Sequence, residues 1–181
     1  TTQRSKNEHG PNFGGGGIPP TPKAFLMKLL GFISRVSMVY FDKAFETLPE
    51  IKQKDDFFFL NIIKNGGECR KTDVINQHML GLSTGIDTLN RLIHLELVEE
   101  RIDPSDKRAK LLRITPEGEK VLYQCYFQAG KVNEIMFHKL SDEDARLCIQ
   151  LLRGVEAEHS PMVLELKDKT LDEIYAKVVV R

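Results

Sequence analysis

The stretch Leu97-Val98-Glu99-Glu100-Arg101-Ile102-Asp103-Pro104-Ser105-Asp106-Lys107-Arg108-Ala109-Lys110-Leu111-Leu112-Arg113-Ile114-Thr115-Pro116-Glu117-Gly118 decides the fold. Leu97 to Asp103 and Ala109 to Ile114 are β-like, and the Pro and Asp between them favour a turn, so the spacing predicts a β-hairpin. Thr115 suits an N-cap, Pro116 the first helical position and Glu117 the positive end of a helix dipole. The helix that follows carries Val121, Leu122, Cys125, Ala129, Val132, Met136 and Leu140.

Upstream, Thr72 can cap a short helix with Val74, Ile75, His78 and Met79 on one face. After Gly81, Ser83 can cap another with Ile86, Leu89, Leu92 and Ile93 inward. Two short helices separated by a few residues with a glycine form a helix-turn-helix, and one followed directly by a hairpin has the order of a winged helix.

Further out, apolar residues from Phe25 to Leu48 recur at three-four spacing over about seven turns, predicting one long amphipathic helix from Lys23 to Leu48. A second helix, Ile51 to Lys64, stops at Gly66-Gly67; its Phe57, Phe58 and Phe59 read as core rather than as a stacking surface for a cofactor. Downstream, Ser141 opens a helix with Ala145, Cys148, Leu151, Leu152 and Val155 on one stripe to about Ala157. Ser160-Pro161 then predicts a break, and Thr170 to Glu173 a last capping box. The expected organisation is a Gly/Pro-rich flexible arm over 1–22, a winged-helix domain over 23–158 and a C-terminal extension over 159–181. Within the domain, the DNA-binding lobe occupies about 51–114, and helices 23–48 and 116–157 are left for dimerisation. The fold class is mainly α with a small β-hairpin wing.

Across 181 residues, 26 Lys plus Arg balance 26 Asp plus Glu. That neutrality excludes a polybasic protein that coats nucleic acid or anionic membrane indiscriminately. The charge is unevenly placed: within the thirteen residues Arg101 to Arg113, Arg101, Lys107, Arg108, Lys110 and Arg113 stand against Asp103 and Asp106, while Leu140 to Arg181 holds nine acids against six bases. No apolar run approaches the roughly 18 to 20 residues of a membrane span, and no secretory leader is visible. Three cysteines without CxxC spacing fit a reducing, cytoplasmic setting. Cys125 and Cys148 read as core residues, and Cys69, beside Arg70 and Lys71, is the one with surroundings that could lower a thiol pKa. The five histidines lack HxxxH or HExxH spacing, so no metal, cofactor or enzymatic constellation is expected.

The second helix of the pair then offers Thr84, Asp87, Thr88 and Arg91 on the face opposite its apolar residues. Arg can pair with guanine O6 and N7, Asp can accept from cytosine N4, and Thr suits thymine. Such a stripe taken alone is more often a solvated face; the basic hairpin behind it favours nucleic acid. Arg101, Lys107, Arg108 and Lys110 could reach phosphates and the minor groove, with Asp106 holding Arg108 outstretched.

Ser83-Thr84, Leu89, Arg91-Leu92, Leu97 to Arg101, Asp103 to Arg108 and Ile114 to Gly118 resemble the multiple antibiotic resistance regulator (MarR) family of winged helix-turn-helix transcription factors. The resemblance is motif-rich from Ile51 to Leu122. It implies a homodimer on double-stranded DNA, with each recognition helix in a major groove through Ser83, Thr84, Thr88 and Arg91, and Lys107 and Arg108 in the flanking minor groove of a pseudo-palindrome. It also implies release by a small aromatic or phenolic effector. Gly85, Asp87 and Glu96 depart from the family's usual residues. The other reading the residues leave open is a winged-helix protein-interaction module without DNA binding, favoured by the neutral charge and Asp87.

Overall fold

The computed structural model describes residues 19–79, 81–107 and 109–180, so the greater part of the N-terminal arm and Arg108 lie outside the described residues. In chain order the elements are α1 (Pro22–Phe45), α2 (Lys54–Gly66), β1 (Cys69–Arg70), α3 (Lys71–Gln77), α4 (Leu82–His94), β2 (Val98–Ile102), β3 (Lys110–Ile114), α5 (Pro116–Phe137), α6 (Asp142–Leu166) and α7 (Leu171–Val178). The helix-turn-helix is α3 and α4, and the wing is β2 and β3, paired antiparallel from Val98 with Ile114 to Ile102 with Lys110.

The expected hairpin gains a strand. Cys69 and Arg70 pair antiparallel with Leu112 and Leu111, giving a sheet of order β1-β3-β2. Two residues are too short to show a period-two pattern, which is why this strand cannot be read from sequence.

One core joins α2, α3, α4, the sheet and the first half of α5. Phe59, Leu60, Ile63, Val74, Leu89, Leu92, Leu112 and Cys125 are fully buried in it, and Phe45, Leu48 and Ile51 close it from the end of α1. The phenylalanines are core, as expected: Phe57 packs against Phe45 with ring centroids 5.4 Å apart. Two helix starts differ from expectation. Gly81, not Ser83, is the N-cap of α4, and Arg70, not Thr72, that of α3, whose backbone N–H donates to Asp73 Oδ2 at 3.3 Å. The Thr115, Ser141 and Thr170 caps form as the sequence indicates.

Gly85 lies where α4 crosses α3. A Cβ there would sit 2.6 Å from Ile75 Cγ1 and 2.8 Å from Cγ2, both on a branched, buried side chain. Its cost in helix propensity is therefore offset by close packing of the two helices.

The end of α4 is a Schellman motif with Glu96 at the left-handed position, φ 58°. Leu97 N–H donates to Leu92 O at 3.0 Å and Glu96 N–H to Ile93 O at 2.9 Å. An L-residue in that conformation costs about 1 kcal/mol relative to glycine. Glu96→Gly is expected to raise the melting temperature by roughly 2–4 °C in a thermal melt, because the group that Thr115 Oγ1 bonds at 2.7 Å is the backbone carbonyl of Glu96, which glycine keeps. A lower melting temperature would contradict this.

Two expectations in the outer helices are overturned. Ser160-Pro161 does not break the chain: α6 runs through Pro161 to Leu166. A proline forfeits one hydrogen bond to the preceding turn, and the strong helix formers on both sides carry the helix across it. Secondly, α1 is long and apolar enough to cross a membrane by length and composition, with an 18-residue window of mean hydropathy 1.5. Isolated charges such as Lys28 and Arg35 interrupt its apolar runs without lowering the average below that of a span. None of that window is buried in the single chain. Helix α6 is similarly bare: Leu166 is its buried residue, while Leu147, Leu151, Val155 and Val163 are exposed, as is Cys148, which is not in the core.

Candidate nucleic-acid interface

The recognition candidate α4 is clamped to the start of α2. Asp56, fully buried, accepts backbone N–H bonds from Lys52 at 2.8 Å and Gln53 at 3.1 Å, and both terminal nitrogens of Arg91 donate to its two oxygens. Thr88 is 1% exposed; its hydroxyl donates to Thr84 O at 3.0 Å and accepts from Gln53 Nε2 at 2.9 Å. Two expected base readers are thereby reassigned. Arg91 and Thr88 point into the α2 junction: Leu89 and Leu92 are buried as expected, but the helix is rotated so that Gly85 and Thr88 are buried with them while Ile86 and Ile93 are only partly covered.

Ser83, Thr84 and Asp87 are exposed, and Asn90 and His94 continue their stripe at successive turns. Asn90 escaped the sequence reading; the i, i+4, i+7 spacing from Ser83 through Asp87 would have found it. Its Oδ1 accepts from Lys71 Nζ at 3.1 Å. That bond leaves the amide NH₂, a donor pair, as the group able to turn outward.

The basic residues of the wing divide. Arg101 pairs with Glu68, and Lys110 Nζ donates to Glu100 Oε2 at 2.9 Å, with Lys71 Nζ 2.5 Å from the other Glu100 oxygen. These two expected phosphate contacts are thus engaged within the sheet. Bonds from Lys71, and then from Lys110, hold the Glu100 carboxyl below the ordinary carboxylate range. Lys107 is exposed at the turn. The expected Asp106–Arg108 pairing lies outside the described residues; Asp106 Oδ2 is 4.0 Å from Arg70.

The turn is organised by Asp103 instead. This buried carboxylate accepts from Ser105 Oγ at 2.6 Å, Ser105 N–H at 2.8 Å and Arg70 at 3.1 Å. The Ser105 bonds first, then the Arg70 guanidinium, lower its pKa to about 2 from an ordinary 3.8. A depressed carboxylate stabilises the fold above its unfolded value, and that contribution is lost as pH falls from about 4 through 2. At pH 3 the Asp103 carboxyl is therefore expected to remain ionised in a side-chain NMR titration; a midpoint near 4 would contradict the assigned bonds.

Neither Cys69 nor Cys125 offers an activated thiol. Burial, and then Asp73, raise the Cys69 pKa despite Arg70 and Lys71 alongside, and burial pushes Cys125 up to about 12.

Residues 53–118 match the family model described as a winged helix DNA-binding domain. The transcriptional regulator HosA of Escherichia coli O111:H- is 35% identical over 106 residues, which cover 59% of this chain and 78% of HosA. The chain belongs to the MarR family of winged helix-turn-helix transcriptional regulators. The HTH-type transcriptional regulator YsmB of Bacillus subtilis is 29% identical over 92 residues, 51% of this chain and 63% of YsmB, so the match spans less than two thirds of that relative. Among solved structures, a mutant MarR from E. coli complexed with operator DNA superposes with a TM-score of 0.65 at 20% identity, covering 72% of this chain and 92% of MarR. At that identity the likeness shows the fold alone. The matched residues 53–118 span the α3–α4 pair and the β2–β3 wing.

Proposed function

We infer that this MarR-family chain is a dimeric regulator that binds double-stranded DNA in the cytoplasm. In this reading, the exposed α4 stripe of Ser83, Thr84, Asp87 and Asn90 enters the major groove, and the turn bearing Lys107 and Arg108 enters the minor groove. The observation that carries it is the division of labour in the lobe. Arg91 and Thr88 lock α4 against α2, Asp103 locks the turn, and the residues left outward lie on the helix stripe and wing tip.

Dimerisation is supported by the outer helices. Leu29, Ile33, Val36 and Val39 on α1 and Leu147, Leu151 and Val155 on α6 are exposed in one chain, an apolar surface larger than a soluble monomer leaves bare. A twofold partner would cover it and set two lobes side by side. This also accounts for an α1 apolar enough to pass as a membrane span.

An effector site is supported by an open groove of about 760 Å³ between the turn after α1 and the first half of α5. Thr47, Leu48, Pro116, Tyr123, Gln124 and Phe127 line it. Two aromatic rings with a few polar groups suit a small aromatic or phenolic ligand. At the root of the lobe, a bound ligand would alter the angle between α5 and α4.

Footprinting on genomic fragments selected by the purified protein tests the reading. The expected result is two protected half-sites about one helical turn apart. Capture of a protein partner through the Ser83–Asn90 face, with no fragment selected, would replace it with the interaction-module reading.

A further inference from the structure

We propose that Arg70 is the residue that sets the direction of the wing, acting as a positioning residue for the wing tip without itself touching DNA; this rests on the DNA-binding reading above. The consecutive residues Glu68 to Lys71, from the link after α2 to the first residue of α3, form a charged strap across the sheet. Glu68 pairs with Arg101, Arg70 with Asp103 and Asp106, and Lys71 with Glu100, while Cys69 and Arg70 pair by backbone with β3. Each of these ion pairs crosses to the wing, and each wing partner lies on β2 or in the turn that follows it.

Within the strap Arg70 has a distinct task. Strands β2 and β3 end at Ile102 and Lys110, and the described turn beyond them is tied across by backbone bonds from Asp103 N–H to Ala109 O at 3.0 Å and Ala109 N–H to Asp106 O at 2.8 Å. The Arg70 guanidinium reaches past the strand ends to both acids of that turn, Asp103 at 3.1 Å and Asp106 at 4.0 Å. Asp103 in turn holds the hydroxyl and N–H of Ser105. The chain of contact therefore runs from the base of α3, through Arg70 and Asp103, to the residue two places before Lys107. Since α3 packs on α4, the same residue couples wing direction to the recognition helix.

Arg70 is about half exposed, so its pairs add little to global stability. Their effect is on where the tip points, and that separates it from a fold-supporting residue. Arg70→Ala should therefore weaken binding to the selected duplex about fivefold, with the melting temperature within about 2 °C of wild type. In a background already carrying Lys107→Ala and Arg108→Ala, where the tip has nothing to deliver, the same substitution should change affinity by less than about twofold and leave the salt slope unaltered. A direct phosphate contact would give an additive loss and a shallower salt slope in both backgrounds, and either that outcome or unchanged affinity in the wild-type background overturns the proposal. Amide hydrogen exchange over 103–109 gives a reading that needs no DNA: Arg70→Ala should accelerate it there and leave 82–94 unchanged. Should the wild-type protein bind no duplex, the DNA-binding reading fails, and the exchange experiment alone decides whether Arg70 holds the turn; unchanged exchange rejects it.

Discussion

Gly118→Ala is expected to destabilise the protein by about 3 kcal/mol and to lower its melting temperature by roughly 6–12 °C. The first turn of α5 rides directly on the chain leaving α4. A Cβ at position 118 would lie 2.0 Å from Leu97 O and 2.9 Å from both Leu97 C and Ile114 Cγ1. The obstacle is backbone, which cannot rotate away as a side chain can. Nor can the backbone shift cheaply, because Leu97 O accepts from Thr115 N–H at 3.1 Å and Leu97 N–H donates to Leu92 O at 3.0 Å. Moving it breaks the helix cap of α4 or the entry to α5, and this outweighs the roughly 1 kcal/mol of helix propensity that alanine brings. A melt indistinguishable from wild type would show that α5 and the α4–β2 connection are not packed as described.

The second large effect is expected at Asp56 and Arg91. Removing either partner alone, as in Asp56→Ala or Arg91→Ala, should cost about 3–5 kcal/mol, because it strands a charge whose partner was inside the protein. Asp56→Ala also strips the Lys52 and Gln53 N–H groups at the start of α2. The double variant should lose clearly less than the sum of the two, since no unpaired charge remains buried. This cycle separates two roles for Arg91. A base-reading arginine would change sequence preference and leave chemical denaturation untouched, whereas the bidentate contact with Asp56 predicts a lower denaturation midpoint for Arg91→Ala with the same loss on every DNA sequence.

The order of elements was legible from Leu97 to Gly118 because each signal there is local: alternation for the strands, Pro and Asp for the turn, Thr-Pro-Glu for the helix start. The Schellman end of α4 was hidden by Glu96, since the left-handed position is ordinarily announced by glycine. The strand β1 was hidden by its length, and its existence depends on β3, which is distant in sequence. On α4 the structure leaves Ser83, Thr84 and Asp87 exposed and turns Thr88 and Arg91 inward. Periodicity fixes which residues share a face, yet it leaves the rotation of the helix uncertain by about one residue. That rotation is set here by tertiary contacts from Gln53 and Asp56, which lie 35 residues away. The same limit applies to the wing: counting its five bases overlooks Glu68 and Glu100, which engage two of them from outside the turn.

Formal neutrality of the whole chain is compatible with DNA binding only if a few contacts are aimed by structure. The most direct test is a fluorescence anisotropy titration of the protein against a duplex from its selected genomic site, at about 50 mM and 200 mM salt. The account predicts saturable binding at the lower salt that weakens steeply at the higher, and Lys107→Ala with Arg108→Ala should flatten the slope of log affinity against log salt by about two units. No binding at the lower salt, or a slope unchanged by losing both wing residues, would contradict it.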